Sequence, residues 1–239
     1  MTAQVVWDVN HNGSVTDSGV DKNLSGVSVK LLSGSVLITT KNTGTDGKVT
    51  FTEADGLVNG EDYKIQVDSA GSGAVLAGLT ANVNQLNGAS QAPIDNEMTV
   101  TGLDNGVALV FGYKSEDSDP NTANTAKLSA YAHIDLAVLN QYEATDINRS
   151  GVAVELVDQT TGFTLQTGTT DTTGKFTFTY GLSTSRSYKV KATTPTGLQV
   201  VYNYQNTNLL GTILDTITLG TYAKPETIVR FGYRSSTPL

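Results

Sequence analysis

Polar and apolar residues alternate along short stretches of this chain with the period of two that buries one face of a β-strand. Val27, Val29 and Leu31 interleave with Ser28, Lys30 and Leu32, and Val152, Val154 and Leu156 interleave with Ala153 and Glu155. The same reading predicts strands near 3–9, 35–40, 47–52, 61–68, 97–101 and 106–113, with counterparts near 127–136, 163–168, 174–180, 186–193, 213–219 and 226–233. Clusters of Gly, Asn, Asp and Ser separate them, as turns require. Sustained helical periodicity is missing, and only 80–92 and 135–144 leave room for a short helix. Val201-Tyr202-Asn203-Tyr204-Gln205-Asn206 is the segment where a binding surface found in one copy alone is expected, and a loop with half-buried tyrosines accounts for it as well. Seven or so short strands in each ~115 residues predict antiparallel sandwiches.

The pattern occurs twice. Gly26-Val27-Ser28-Val29-Lys30-Leu31 returns as Gly151-Val152-Ala153-Val154-Glu155-Leu156 and Tyr63-Lys64-Ile65 as Tyr188-Lys189-Val190, both 125 positions on. Gly47-Lys48-Val49-Thr50-Phe51 returns as Gly174-Lys175-Phe176-Thr177-Phe178, and Phe111-Gly112-Tyr113 as Phe231-Gly232-Tyr233. A spacing of ~120 residues is a whole domain rather than a solenoid repeat. The expected fold class is therefore all-β, two tandem antiparallel Ig-like β-sandwich domains. The expected division is 1–114 for the first, 115–124 for an acidic linker, and 125–239 for a second, diverged copy.

Composition removes several functions. Fifteen scattered Lys and Arg against 23 Asp and Glu, for a net charge of -8, exclude a nucleic-acid surface, which needs clustered cations. No apolar run approaches the ~18 residues of a membrane span, so no membrane insertion is expected. Met1 leads directly into the first strand without a secretory leader, which suggests a piece of a longer chain. With no cysteine, disulfides, thiol catalysis and cysteine-ligated metals are excluded; a reducing cytosol and an exported bacterial surface both fit. The only histidines are His11 and His133, and no triad, histidine zinc site or phosphate loop can be assembled, so the chain is expected not to be an enzyme.

One stretch carries chemistry. Asp8-Val9-Asn10-His11-Asn12-Gly13-Ser14-Val15-Thr16-Asp17 places oxygen side chains at alternate positions before a glycine, an arrangement suited to a hard cation such as Ca2+. Asp8, Asn10 and Asn12 would ligate through side chains and Ser14 through its carbonyl, with Asp17 and Asp21 closing the shell. The same residues also suit a polar turn in which Asp8 and Asn10 bond only to backbone. Carried over at the 125-residue offset, Asp8 meets His133, Asn10 meets Asp135, Asn12 meets Ala137 and Asp17 meets Tyr142, leaving only Asp21 matched, by Asp146. The second copy is therefore expected to lack the site, with Asp135, Glu143, Asp146 and Asn148 forming a solvated acidic turn.

Val6-Trp7-Asp8, Asn10-His11-Asn12-Gly13, Asp17, Gly26-Val27-Ser28-Val29, Thr45-Asp46-Gly47-Lys48-Val49-Thr50-Phe51, Tyr63-Lys64-Ile65 and Phe111-Gly112-Tyr113 together resemble the B domain of serine-aspartate-repeat surface adhesins. The resemblance implies a prealbumin-like or collagen-adhesin B-type sandwich that binds calcium structurally and is strung in tandem as a stalk. It departs from that pattern where Asp17 stands four positions beyond Gly13 rather than three. What it implies here is a monomeric, extracellular, non-catalytic spacer on a bacterial cell surface, stiffened by calcium, whose partners are neighbouring domains of the same adhesin. The alternative is an adhesion module recognising a host protein or carbohydrate. Trp7, the single tryptophan, is expected to plug the core beside the loop.

Overall fold

The computed structural model describes residues 1–117, 127–137, 139–219, 222 and 226–236. It divides into two units, Met1–Glu116 and Asp117–Leu239, each a sandwich of two sheets. The first unit holds β1 (Thr2–Trp7), β2 (Lys22–Asn23), β3 (Ser28–Ser33), β4 (Val36–Asn42), β5 (Lys48–Thr50), β6 (Tyr63–Val67), β7 (Leu79–Leu86), β8 (Ala89–Ser90), β9 (Glu97–Val100) and β10 (Ala108–Ser115). One sheet runs β2-β1-β10-β7-β8 with β5 also on β1, and the other runs β4-β3-β6-β9.

The second unit repeats this arrangement with β11 (Lys127–Ile134), β12 (Ile147–Asn148), β13 (Ala153–Asp158), β14 (Thr164–Thr169), β15 (Lys175–Phe178), β16 (Tyr188–Ala192), β17 (Leu198–Gln205), β18 (Asn208–Leu209), β19 (Thr216–Leu219) and β20 (Glu226–Ser235). Its sheets run β12-β11-β20-β17-β18, with β15 on β11, and β14-β13-β16-β19.

The expected sandwiches are present, and one pairing in each is not antiparallel. β1 lies parallel to β10, from Thr2 opposite Ala108 to Trp7 opposite Tyr113. β11 lies parallel to β20, from Lys127 opposite Glu226 to Ile134 opposite Tyr233. The first and last strands of each unit are thus neighbours that run the same way.

The period of two sets the core. Tyr63, Ile65 and Val67 of β6 are buried while Lys64 and Gln66 between them are not, and Val29, Leu31, Phe51 and Phe111 are wholly buried in the same unit. Trp7 is wholly buried, as a core plug should be. The recurring tyrosines latch a turn in each copy. Tyr63 Oη accepts from the Val58 amide at 2.8 Å and donates to the Gly56 carbonyl at 3.2 Å. Tyr188 Oη accepts from the Ser183 amide at 2.6 Å and donates to the Gly181 carbonyl at 3.1 Å. Gly47 and Gly174 both have φ +71, and a Cβ on them would meet the Val5 and Ala132 carbonyl oxygens at 2.7 and 2.6 Å, so neither tolerates a side chain.

Two long strands depart from the sequence reading. Among the described residues neither 80–92 nor 135–144 is helical; the short turns of 3-10 helix lie at Glu53–Asp55 and Gly73–Val75, and 80–86 belongs to β7. The tyrosine segment 201–206 is mostly β17, with Tyr202 wholly buried rather than displayed on a loop. Within the expected linker, Ser115 ends β10 and the Glu116 amide donates to the Gly78 carbonyl at 3.1 Å. The Asp117 carboxylate accepts from the Thr184 hydroxyl at 2.9 Å, and 118–124 lie outside the described residues, as does the boundary at 125. Among the described residues no helix is long and apolar enough to cross a membrane.

Candidate metal loop and its altered copy

The loop from Asp8 to Asp21 leaves the end of β1 and returns as β2. Its start is fixed by the sheet, since the Asp8 amide donates to the Tyr113 carbonyl at 2.7 Å, prolonging the β1 to β10 ladder. Asp8 is wholly buried. Its Oδ1 accepts from the Asn12 amide at 3.2 Å, its Oδ2 from the Gly13 amide at 2.9 Å, and Oδ2 also from Nδ2 of Asn82 on β7. Gly13 takes φ +77, the left-handed turn that its lack of Cβ allows, and so brings its N–H back onto Asp8.

Asp17 collects the two asparagines. Nδ2 of Asn10 donates to Asp17 Oδ2 at 3.1 Å, and Nδ2 of Asn12 donates to the same oxygen. Ser14 lies against Asn12, its amide donating to Asn12 Oδ1 at 2.8 Å, with its hydroxyl 3.3 Å from that of Thr16. The Asp17 amide donates to Asp21 Oδ2 at 2.8 Å, while Asp21 Oδ1 is buried with no donor in bonding geometry, the Val9 amide exerting only a weak pull. The structure thus brings Asp8, Asn10, Asn12, Asp17 and Asp21 into one polar cluster, beside a cleft of 360 Å3 lined in part by Asp17, Asp21 and Asn23.

The electrostatics of this cluster are unbalanced. Burial raises the Asp8 carboxyl above its ordinary value against the pull of the Gly13, Asn12 and His11 amides, and the charge of Asp17 adds to the rise. Asp21 is raised by burial and then by the charges of Asp8 and Asp17, whereas the amides of Asn10 and Asn12 lower half-buried Asp17. No Lys or Arg forms an ion pair with the three among the described residues; the Lys22 ammonium instead donates to the Gly19 carbonyl at 2.7 Å. Three carboxylates, two amide groups that can turn an oxygen inward, and one orphaned carboxylate oxygen suit a hard cation. Such an ion would need the amide oxygens, because no group of three or more His, Cys, Asp or Glu among the described residues converges on a metal position alone.

The second unit corrects the constant-offset alignment. The amide of Asp135 donates to the Tyr233 carbonyl at 2.9 Å, as that of Asp8 does to Tyr113, so the counterpart of Asp8 is Asp135, not His133. The Asn140 amide donates to Asp135 Oδ2 at 3.1 Å with φ 56, as Gly13 does to Asp8. The Glu143 amide donates to Asp146 Oδ2 at 3.2 Å, as Asp17 does to Asp21. Asp8, Asp17 and Asp21 therefore correspond to Asp135, Glu143 and Asp146, across a loop two residues shorter. The asparagine donors are what is lost, Ala137 and Leu139 standing where Asn10 and Asn12 stand.

The packing beneath the loop also changes. In the first unit Val15 of the loop sits on Val6 and Val83, with Val110 against them. In the second, strand pairing puts His133 at the place of Val6, Tyr202 at that of Val83 and Arg230 at that of Val110. The Arg230 guanidinium lies 4.6 Å from the ring centre of Tyr142, and the His133 and Tyr142 rings are 4.8 Å apart. Tyr202 donates its hydroxyl to Asp146 Oδ2 at 2.7 Å, and Arg234 donates to Asp135 Oδ2 and, at 2.7 Å, to Asn140 Oδ1. Sequence reasoning missed Arg234; a basic residue directly after the repeated Phe-Gly-Tyr was the only signal, and Lys114 gives the same signal in the first copy.

No protein-family model matches this chain, and no curated protein matches it. Among solved structures it is similar to the minor pilin GBS52 of Streptococcus agalactiae, at 14% identity and TM-score 0.34, over 100% of this chain and 96% of that one. It is also similar to the shaft pilin SpaA of Lactobacillus rhamnosus GG, at 12% identity and TM-score 0.32 over 100% of both chains. A third is the open conformation of the pilus adhesin SpaC from the same organism, at 13% identity and TM-score 0.42, over 100% of this chain and 32% of that one.

Proposed function

We propose that this chain is a non-catalytic stalk segment of a large bacterial cell-surface adhesin, with calcium stiffening its first unit. One observation carries the mechanical reading: in each unit the first and last strands are parallel neighbours. The chain therefore comes in at one end of that strand pair and leaves at the other. Tension along the chain shears all of the hydrogen bonds between the two strands at once instead of unzipping them one by one. Over the six paired residues of β1 the separation is about 20 Å.

Calcium acts on the same clamp. Asp8 follows directly on β1, so an ion held by Asp8, Asn10, Asn12, Asp17 and Asp21 with the Ser14 carbonyl ties the end of the sheared strand to the loop beyond it. Bound to the folded state alone, it stabilises the unit by ~2.7 kcal/mol at about a hundred times its dissociation constant. Single-molecule pulling on the whole chain tests the reading. Two separate ruptures are expected, each freeing about 400 Å at ~3.5 Å per residue, with calcium raising the force of one of them. Gradual extension at low force, without discrete ruptures, would remove the stalk.

A further inference from the structure

We infer that Arg234 is a built-in cation that holds the loop of the second unit and makes it independent of metal. The inference rests on the calcium reading only for its contrast with the first unit; the contacts themselves need no ion. The loop 135–146 keeps the carboxylates of its sister loop, namely Asp135, Glu143 and Asp146, and has lost the two asparagines that stand between the first acid and the left-handed turn. Asn10 and Asn12 have become Ala137 and Leu139, and Asn82, which reaches Asp8 from β7, has become Val201 by strand register. Left so, the loop would hold its acids with fewer partners than the first.

Arg234 supplies what was removed. Its Nη2 donates both to Asp135 Oδ2 and to Asn140 Oδ1, tying the first acid of the loop to the residue at its left-handed turn. Asp135 is almost wholly buried, and its side chain is 1% exposed against 24% for Arg234, so the charge that meets it is only partly hydrated. A planar guanidinium that bridges two oxygens from 94 and 99 residues away fixes the loop across the sheet, as a metal ion does across a set of ligands. Asp135 Oδ1 has no donor in bonding geometry, the Leu139 amide exerting only a weak pull on the carboxylate, so the guanidinium replaces one shared contact and not a complete shell. Arg230 on Tyr142 and Tyr202 on Asp146 hold the rest of the loop in place. The first unit has no equivalent, since Lys114, the counterpart of Arg234, pairs with none of Asp8, Asp17 and Asp21.

Amide hydrogen exchange on the whole chain, in buffer with chelator, tests this. Arg234→Gln is expected to cut protection of the 136–148 amides by more than tenfold and to leave 8–23 unchanged, with Arg234→Lys falling between. Asp135→Asn combined with Arg234→Gln should cost far less than the product of the two single effects, the mark of a direct pair. In the unaltered chain, millimolar calcium should leave 136–148 unchanged. Protection in Arg234→Gln within about twofold of the unaltered chain, multiplicative single effects, or a calcium response of the 136–148 amides would each overturn the inference. Indifference of the 8–21 amides to calcium would instead count against the metal reading and leave the Arg234 result standing.

Discussion

The loops Asp8–Asp21 and Asp135–Asp146 leave equivalent strands of equivalent sandwiches with their acids in the same places, yet balance the charge in opposite ways. Burial and mutual repulsion raise Asp8 and Asp21, and among the described residues no Lys or Arg forms an ion pair with either, although the charge of Asp21 acts on neighbouring Lys22. Burial acts on Asp135 too and is the largest single influence, but Arg234 together with the Asn140 and Leu139 amides brings that carboxyl below its ordinary value. The backbone cap that the two first acids share, from Gly13 in one loop and Asn140 in the other, therefore does not decide how the charge of that acid is met. What decides it is the side chain that the neighbouring last strand sends across.

The largest separation of the two units should come from acid. His133 is held neutral by burial first and by the charge of Arg230 second, so its pKa falls from 6.5 to about 4. Between those values the unfolded chain takes up a proton that the folded second unit refuses, so stability is lost as pH falls through this window. His133→Val, which copies Val6, should remove on the order of 2–3 kcal/mol of that acid loss, read from denaturant midpoints of the second unit near pH 4. Equal acid sensitivity in the variant and the parent would break this part of the comparison.

A smaller and opposite pair of effects should come from the closing acids. Asp21→Asn keeps an acceptor for the Asp17 amide and removes a charge whose second oxygen has no donor, so in chelator it should leave the first unit unchanged or up to about 1 kcal/mol more stable. Because Asp21 is raised in the folded unit, its ionisation opposes folding as pH climbs above its unfolded value, and the benefit of the substitution should be greater near neutrality than in acid. Asp146→Asn faces the Tyr202 hydroxyl and the Glu143 and Leu136 amides, and should cost the second unit about 1–2 kcal/mol. Effects of the same sign in both loops would mean that the acids serve the same purpose in each.

Much of this architecture was legible in the chain. Alternation placed β3, β6, β13 and β16, and the repeated Gly-Val and Phe-Gly-Tyr segments revealed the duplication, because a residue that must face a core or bend a turn leaves a local mark. β7 and β17 were not visible, since Asn and Gln interrupt the one and Tyr and Asn the other. A register shift in each, opposite Gly112/Tyr113 and at Val200/Tyr202, also breaks the alternation. The parallel closure of each unit leaves no local trace at all. In the loops, the spacing of the first copy singled out Asp8, Asn10, Asn12, Asp17 and Asp21, which the fold gathers into one polar cluster. The second copy was misaligned because its two-residue deletion falls inside the loop, so the offset of the following strand cannot be carried back through it. Arg234 was out of reach, being almost a hundred positions from the acid it meets.

Calcium titration of the whole chain, followed by hydrogen exchange at each loop amide, addresses the division of labour most directly. The expected result is a saturable rise in protection at Asn12, Gly13, Ser14 and Asp17 in millimolar calcium, reversed by chelator, while the amides of 136–148 stay as they were. No change in the first loop, or the same change in both, would contradict it.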